Sequence, residues 1–225
     1  MTGSAAEKEP SVSVVVGVFN ESEAIAATLD SVFAQTVADL ECIVVDDAST
    51  DDTVNRLEAY GTTEPRLRIV RLSTQGGLTR ALKCGVEEAR GTWLARIDGG
   101  DIWHREKIGR QLAFASENPH VGIIGTASEE HNESTGQRTT RKKPEGHDGI
   151  MEALWHSCPF VHSAILVRLD VVRRCGNYNP AYPCSQDYDL YCRVLFETQG
   201  HNLPEVLLHR PTHRPGSISY LRWKE

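Results

Sequence analysis

Trp93-Leu94-Ala95-Arg96-Ile97-Asp98-Gly99-Gly100-Asp101-Ile102-Trp103 is the stretch whose reading decides the fold. Four of its first five residues are apolar or small and predict a buried strand. Two carboxylates and two glycines follow at once, and a helix-like segment begins after them. In an open α/β sheet, ligands collect beyond the carboxyl ends of the strands. Carboxylates placed there bind a divalent cation or sugar hydroxyls, and glycines admit a ligand to the backbone. Asp-Gly is also ordinary turn chemistry, so this stretch alone supports either a site or a turn.

The residues upstream supply the context. Val12 to Val18 is a near-continuous β-branched run, as a strand buried on both faces requires, with Gly17 its one small residue. Phe19-Asn20-Glu21-Ser22 breaks it. Ile25, Thr28, Leu29, Val32 and Phe33 then recur at helical spacing, with Ser22 as the expected N-cap. Glu41 to Val45 predicts a second strand, ending in Asp46-Asp47-Ala48-Ser49-Thr50-Asp51. Ser49 and Asp52 have capping-box spacing ahead of a short helix to Tyr60. Leu67 to Leu72 predicts a third strand. Gln75-Gly76-Gly77 turns into a helix whose Leu78, Ala81, Leu82, Gly85, Val86 and Ala89 share one face. Trp93 to Ile97 is then the fourth strand. This alternation predicts a parallel sheet with helices on both faces. Asn20-Glu21, Asp46-Asp47 and Asp98 all follow strands, and βα turns lie on one edge, so these polar groups converge.

Downstream the pattern changes. Ile108, Gln111, Leu112 and Ala115 predict a helix. Val121 to Ala127 and Arg138 to Arg141 predict a hairpin around Asn132 to Gly136. Arg138, Arg141, Lys142 and Lys143 form a basic cluster, read either as a solvated face or as a patch for an anionic lipid or acceptor. Ile150 to Trp155 is expected to be helical, Ser163 to Val167 a strand, Gly176 to Ser185 a loop, Tyr188 to Phe196 a helix, and Leu203 to Leu208 a strand. Trp93 and Trp155 are expected in the core, and Trp103 packed or stacked on a sugar. His162 reads as a packed, hydrogen-bonded histidine.

At 225 residues the chain can bury a sizeable core as one domain. A formal net charge of −7 argues against general nucleic-acid binding, which needs a basic footprint. No apolar run approaches the roughly 20 residues of a membrane-spanning helix, and residues 1–10 read as a flexible tail without a signal-peptide core. Six scattered cysteines without a C-x-x-C pair fit reduced thiols in a cytoplasmic protein better than a zinc site. No G-x-G-x-x-G follows the first strand, which disfavours a dinucleotide-binding enzyme.

Several separated motifs, in order from about Ser11 to Ser219, resemble the family 2 glycosyltransferases of the GT-A fold. Ser13 to Glu21 resembles the family's opening V-x-V-P-x-Y-N-E, with Gly17 in place of proline and Phe19 in place of tyrosine. Val44 to Asp51 is similar to V-V-D-D-G-S-T-D, and Gly76-Gly77-Leu78 to its G-G-L turn. Arg96 to Asp101 stands where the family has R-x-D-A-D-D. Gln186 to Leu190 resembles E-D-x-D-L, and Pro215 to Ser219 resembles P-G-S-x-S.

The resemblance implies an α/β protein of the GT-A fold, with a mostly parallel Rossmann-like sheet flanked by helices. Residues 11–103 would form a nucleotide-sugar-binding half and residues 104–225 a smaller acceptor-side half. It implies inverting transfer of a sugar from a nucleoside diphosphate donor, UDP-sugar foremost, to a glycan or lipid-linked acceptor, with a peripheral membrane contact. Gly17, Phe19, Asn20 and Glu21 would line the base and ribose. Asp47 would accept from a uracil-like N–H, Asp98 would sit near the ribose and diphosphate, and Arg71 and Gln75 would extend the donor site. Asp187 would be the general base, although its place at a helix start also suits a cap.

One departure concerns the cofactor. The family's aspartate for Mn2+ or Mg2+ falls at Gly100, which has no side chain to offer. Three accounts follow. Asp98 or Asp101 takes the metal; basic groups near the C-terminus (His209, Arg210, His213, Arg214) neutralise the diphosphate; or the chain binds a donor or a partner without catalysis.

Overall fold

The computed structural model describes residues 9–212. Of the expected tail only Glu9 and Pro10 fall among them, and His213, Arg214 and the Pro215 to Ser219 motif lie outside. The first half runs β1 (Val12–Val18), α1 (Ile25–Phe33), β2 (Leu40–Asp46), α2 (Thr53–Gly61), β3 (Leu67–Arg71), α3 (Leu78–Glu88) and β4 (Trp93–Arg96). The second half runs β5 (Ile102–Trp103), α4 (Lys107–Glu117), β6 (Val121–Asn132), β7 (Arg138–Arg141), α5 (His147–Leu154), a 3-10 turn at His162–Ala164, β8 (Leu166–Arg168), α6 (Leu169–Arg174), α7 (Gln186–Glu197) and β9 (Gln199–Thr212).

The strands form one mixed sheet in the order β3-β2-β1-β4-β8-β6-β9-β5, with β7 paired to β6. β1 through β4 are mutually parallel, as the alternating pattern predicts. β8 joins β4 antiparallel and continues the sheet into the second half, so the two expected halves share one backbone ladder. Side chains alternate across the sheet with period two. Val12, Val14, Val16 and Val18 therefore face one layer, with Leu29, Leu57 and Ile108 from α1, α2 and α4. Val15, Ile43 and Val45 face the other, with Leu82 and Val86 of α3 and Leu190 and Val194 of α7. A Val, Leu or Ile buried on either side contributes roughly 1.5–3 kcal/mol relative to exposure. That explains why α1 and α2 form although neither has a side-chain cap bond.

Gly17 answers to this packing. A Cβ there would stand 2.9 Å from Leu78 Cδ1, so its smallness seats α3 against β1.

Several local expectations are corrected. Ser22 caps nothing: α1 begins three residues later, and the Ser22 N–H donates to Asp51 Oδ2 at 3.2 Å. Ser49 makes no capping box; its hydroxyl accepts the Asn20 N–H, and Asp51 takes the Thr53 N–H instead. In both cases the expected capping serine is engaged between loops, while Asp51 serves the start of α2. Ser163 lies in the 3-10 turn and the strand starts at Leu166, because Ser163 serves the site described below. Trp155 is not core: it ends α5 and is 82% exposed. Trp103 packs, 3% exposed, and its Nε1 donates to the Ser163 carbonyl at 2.7 Å. The basic cluster is largely neutralised: Arg138 pairs with Glu129 and Arg141 with Glu130 across the hairpin, while Lys143 donates to the Cys158 carbonyl. Among the described residues no helix is long and apolar enough to cross a membrane. All six cysteines are unpaired.

Candidate active site

The carboxyl ends of β1, β2 and β4 carry loops that bond to one another. Asn20, at φ +54°, accepts the Thr50 N–H on Oδ1 at 2.8 Å and gives its own N–H to Ser49. The Glu21 N–H donates to Thr53 Oγ1. The Glu21 side chain lies against the next loop, where a Cβ on Gly99 would be 3.0 Å from its Cγ. Backbone held in sparsely populated regions persists where the surroundings over-determine it, and Asn20 and Ala48 (φ +62°) both sit on this rim. Phe19, 38% exposed, and Gln75, exposed, stand along it. Arg71 leaves the end of β3 and pairs with Glu58 at 3.4 Å, more than half exposed.

Asp47 is buried, and its two oxygens accept the Gly76 and Gly77 N–H groups, both at 2.7 Å. The carboxylate thus fastens the turn before α3, where Gly77 adopts φ +84°. An approaching base would meet Asp47 with these two bonds already made.

Arg96 and Asp98 are two residues apart, which puts both side chains on one side of an extended chain. Arg96 is 1% exposed and grips Asp98 through both Nη atoms. Ser163 completes the group: its hydroxyl donates to Asp98 Oδ2 at 3.1 Å and accepts the Asp98 N–H. Burial penalises the Asp98 charge, but the Arg96 charge and hydrogen bond, with His162 and Arg210, together hold this carboxyl well below the usual range. Asp101 points inward, 5% exposed. Burial, with the Asp98 charge beside it, pushes its carboxyl up. The Thr28 hydroxyl pins the loop between them, accepting the Gly100 N–H and donating to the Asp101 carbonyl.

His162 lies next to this group, and its Nε2 is 2.8 Å from the buried Tyr178 hydroxyl. Burial and then the Arg96 charge press the imidazole toward its neutral form, while Asp187 and Asp98 both pull the other way. Asp187 stands in the first turn of α7, with Ser185 ahead of it at φ +61°. It does not cap the helix in the usual manner; Oδ1 accepts the adjacent Tyr188 N–H, and Oδ2 is 3.7 Å from Cys158 Sγ. Burial and the Asp187 charge push that thiol up to about 12, which leaves it protonated.

Sequence reasoning assigned no role to Arg96, Thr28, Ser163, Tyr178 or Cys158. The Arg96–Asp98 pair was readable from its spacing of two at the end of a strand. The others come from distant segments and carry no local signal. Two surface depressions, of 290 and 320 Å3, lie elsewhere. The first, at the amino edge, is lined by Glu41, Arg66, Arg68 and Arg90, of which Arg68 and Arg90 already bond to Glu41. In a parallel sheet the carboxyl edge is the place where ligands collect.

The residues present do not fit a Mn2+ or Mg2+ ion. Such cations take several oxygen ligands. Asp98 is held by Arg96, Asp101 Oδ2 faces Arg210 Nε at 3.5 Å, and Gly100 adopts φ +92° with no side chain. Among the described residues no group of three or more His, Cys, Asp or Glu is arranged to hold a metal.

A mixed sheet with parallel β1–β4, helices on both faces and a carboxylate-lined edge defines a GT-A domain. The comparisons agree. TarS 1–349 of S. aureus in complex with UDP-GlcNAc superposes with a TM-score of 0.78 at 19% identity, over 93% of this chain and 60% of that one. The mannosyltransferase PcManGT of Pyrobaculum calidifontis, in complex with GDP-Man and Mn2+, gives 0.74 at 19% identity, over 97% of this chain and 61% of that one. The chain therefore spans less than two thirds of these solved structures. The putative glycosyltransferase EpsE of Bacillus subtilis is 30% identical over 204 residues, 88% of this chain and 72% of that relative. Residues 13–176 match the family described as Glycosyl transferase family 2, and the chain belongs to it.

Proposed function

We propose that this glycosyltransferase domain transfers a sugar from a UDP-sugar to a hydroxyl of a glycan or lipid-linked acceptor, with inversion. One observation carries the reading: the short segment from Cys158 to Ser163 touches both carboxylates, with Cys158 Sγ 3.7 Å from Asp187 Oδ2 and the Ser163 hydroxyl donating to Asp98 Oδ2 at 3.1 Å. The nucleotide would lie on the rim formed by Phe19, Asn20, Glu21 and Asp47, with Arg71 and Gln75 at its outer side. Its ribose and diphosphate would reach Asp98. The sugar would then project toward Asp187. The UDP-GlcNAc bound to TarS and the GDP-Man bound to PcManGT support a nucleotide-sugar donor.

In a single displacement the acceptor oxygen bonds to the anomeric carbon as the bond from that carbon to the β-phosphate oxygen breaks. The electron pair leaves with the diphosphate, and the acceptor proton passes to the Asp187 carboxylate. General-base assistance of this kind contributes about 10²–10⁴-fold. Arg96 and Ser163 would hold Asp98 in place, and Cys158 would hold one Asp187 oxygen through a weak S–H donor. A surface contact with a membrane, bringing in a lipid-linked acceptor, would fall to Lys142 and the exposed Trp155.

Asp187→Asn tests the assignment. UDP release from a panel of UDP-sugars, with water or glycan acceptors, is expected to fall about 10²–10⁴-fold, while UDP affinity measured by calorimetry changes little. Near-normal turnover in the variant would remove Asp187 from the chemistry. A second reading, donor binding without transfer, is favoured by the carboxylate loop being closed on Arg96 and Thr28. It predicts UDP binding with no turnover in the unaltered protein.

A further inference from the structure

We propose that the Arg210 guanidinium is the cation that receives the donor's diphosphate, and that the site binds it without a divalent metal ion. The inference rests on the nucleotide-sugar reading above. Its starting point is that the carboxylates of the strand-edge loop are already matched to arginines, and that the two arginines differ. Arg96 is 1% exposed and spent on Asp98. Arg210 is 30% exposed, and its side chain makes no hydrogen bond among the described residues.

The sheet brings Arg210 to this place. β5 runs antiparallel to β9 with Ile102 opposite His209, so one step along that ladder sets Asp101 opposite Arg210. On the other side β6 runs parallel to β9 with Glu130 opposite Arg210. The guanidinium stands between two carboxylates, Nε 3.5 Å from Asp101 Oδ2 and Nη1 3.6 Å from Glu130 Oε1. Both contacts are ion pairs longer than a hydrogen bond. Arg210 Nε and Asp101 Oδ2 are each buried without a hydrogen-bond partner among the described residues.

A buried donor left unsatisfied facing a buried acceptor left unsatisfied is a costly arrangement. An entering diphosphate supplies the acceptor oxygens that the Arg210 guanidinium lacks. Its oxygens match the guanidinium fork bidentately, and its two negative charges compete well against single carboxylates at 3.5 Å. The negative charge that builds on the leaving β-phosphate oxygen then develops beside a fixed positive group. His209, the neighbouring residue, is held to Glu129 at 3.3 Å and does not share this role.

Calorimetric titration with UDP, UMP and GDP, in EDTA and in MnCl2, tests this on the unaltered protein and on Arg210→Ala and Arg210→Lys. UDP is expected to bind equally, within about 2-fold, in EDTA and in Mn2+. Arg210→Ala should weaken UDP at least about 10-fold and UMP less than about 2-fold, since UMP lacks the β-phosphate. Arg210→Lys, which keeps the charge and the fold but loses the fork, should fall between. Binding that vanishes in EDTA and returns with Mn2+ would overturn the inference, as would an Arg210→Lys or Arg210→Ala protein that binds UDP like the parent. An unaltered protein that binds neither UDP nor GDP under any condition would bring down the donor reading itself.

Discussion

Lys107 shows how much a single side chain can disclose. It is fully buried, with Nζ 4.1 Å from the Trp103 ring centroid and 3.0 Å from Gln111 Oε1. Among the described residues no carboxylate pairs with it, and burial drives its amine well below the ordinary lysine value. Between the lowered folded value and the unfolded one, the folded state then binds fewer protons than the unfolded chain. Stability must therefore rise with pH up to the unfolded value near 10.4 and lose that gain as the pH falls. Below pH 10, the stability of the parent protein relative to Lys107→Met should climb with pH, by at most about 1.4 kcal/mol per unit. Urea titrations at each pH measure it, and a constant difference would show that Lys107 stays charged. At this scale the sequence was partly legible. Arg96 and Asp98 could be paired from spacing alone, whereas Lys107 sat unmarked on a helix whose other apolar positions drew attention. The partners of Asp98, at position 163, and of His162, at position 178, are long-range and left no trace in local pattern.

Elements were more legible than their joints. β1 to β4 and α1 to α3 follow from runs of Val and Ile alternating with 3.6-residue periodicity, and the register that makes them one sheet follows from parallel crossovers. The expected caps failed because Ser22 and Ser49 are engaged between loops, Ser22 with Asp51 and Ser49 with Asn20. β5, only two residues long, has no sequence signature, yet it positions Asp101 opposite Arg210. Trp155 was misplaced because an aromatic at a helical period looks like core when nothing marks the helix end. The loop from Asp98 to Asp101 carries the element-scale prediction. Gly100 has φ +92°, which side chains rarely adopt, and its N–H is fixed to Thr28. Restoring an aspartate with Gly100→Asp should cost about 1–3 kcal/mol and should not create Mn2+-dependent UDP binding. Chemical denaturation and calorimetry check the two halves, and an Mn2+-dependent gain at unchanged stability would show that the loop accepts a ligand there.

The whole molecule places its chemistry by topology. One sheet, packed on both faces, sends β1, β2 and β4 to a common edge and brings β9 back beside the same loop through β6 and β5. The opposite edge closes on itself: Glu41 receives Ser13, Arg68 and Arg90, and these bonds outweigh burial to hold its carboxyl below the ordinary value of 4.5. That ion cluster surrounds a depression without leaving charge to offer a ligand. Hydrogen–deuterium exchange with and without UDP tests directly whether the carboxyl edge is the binding edge. The account predicts slowed exchange in residues 17–22, 46–52, 74–78 and 97–102, with Asp187 and its neighbours responding when a UDP-sugar replaces UDP. Protection confined to residues 38–41, 65–68 and 90 would contradict it.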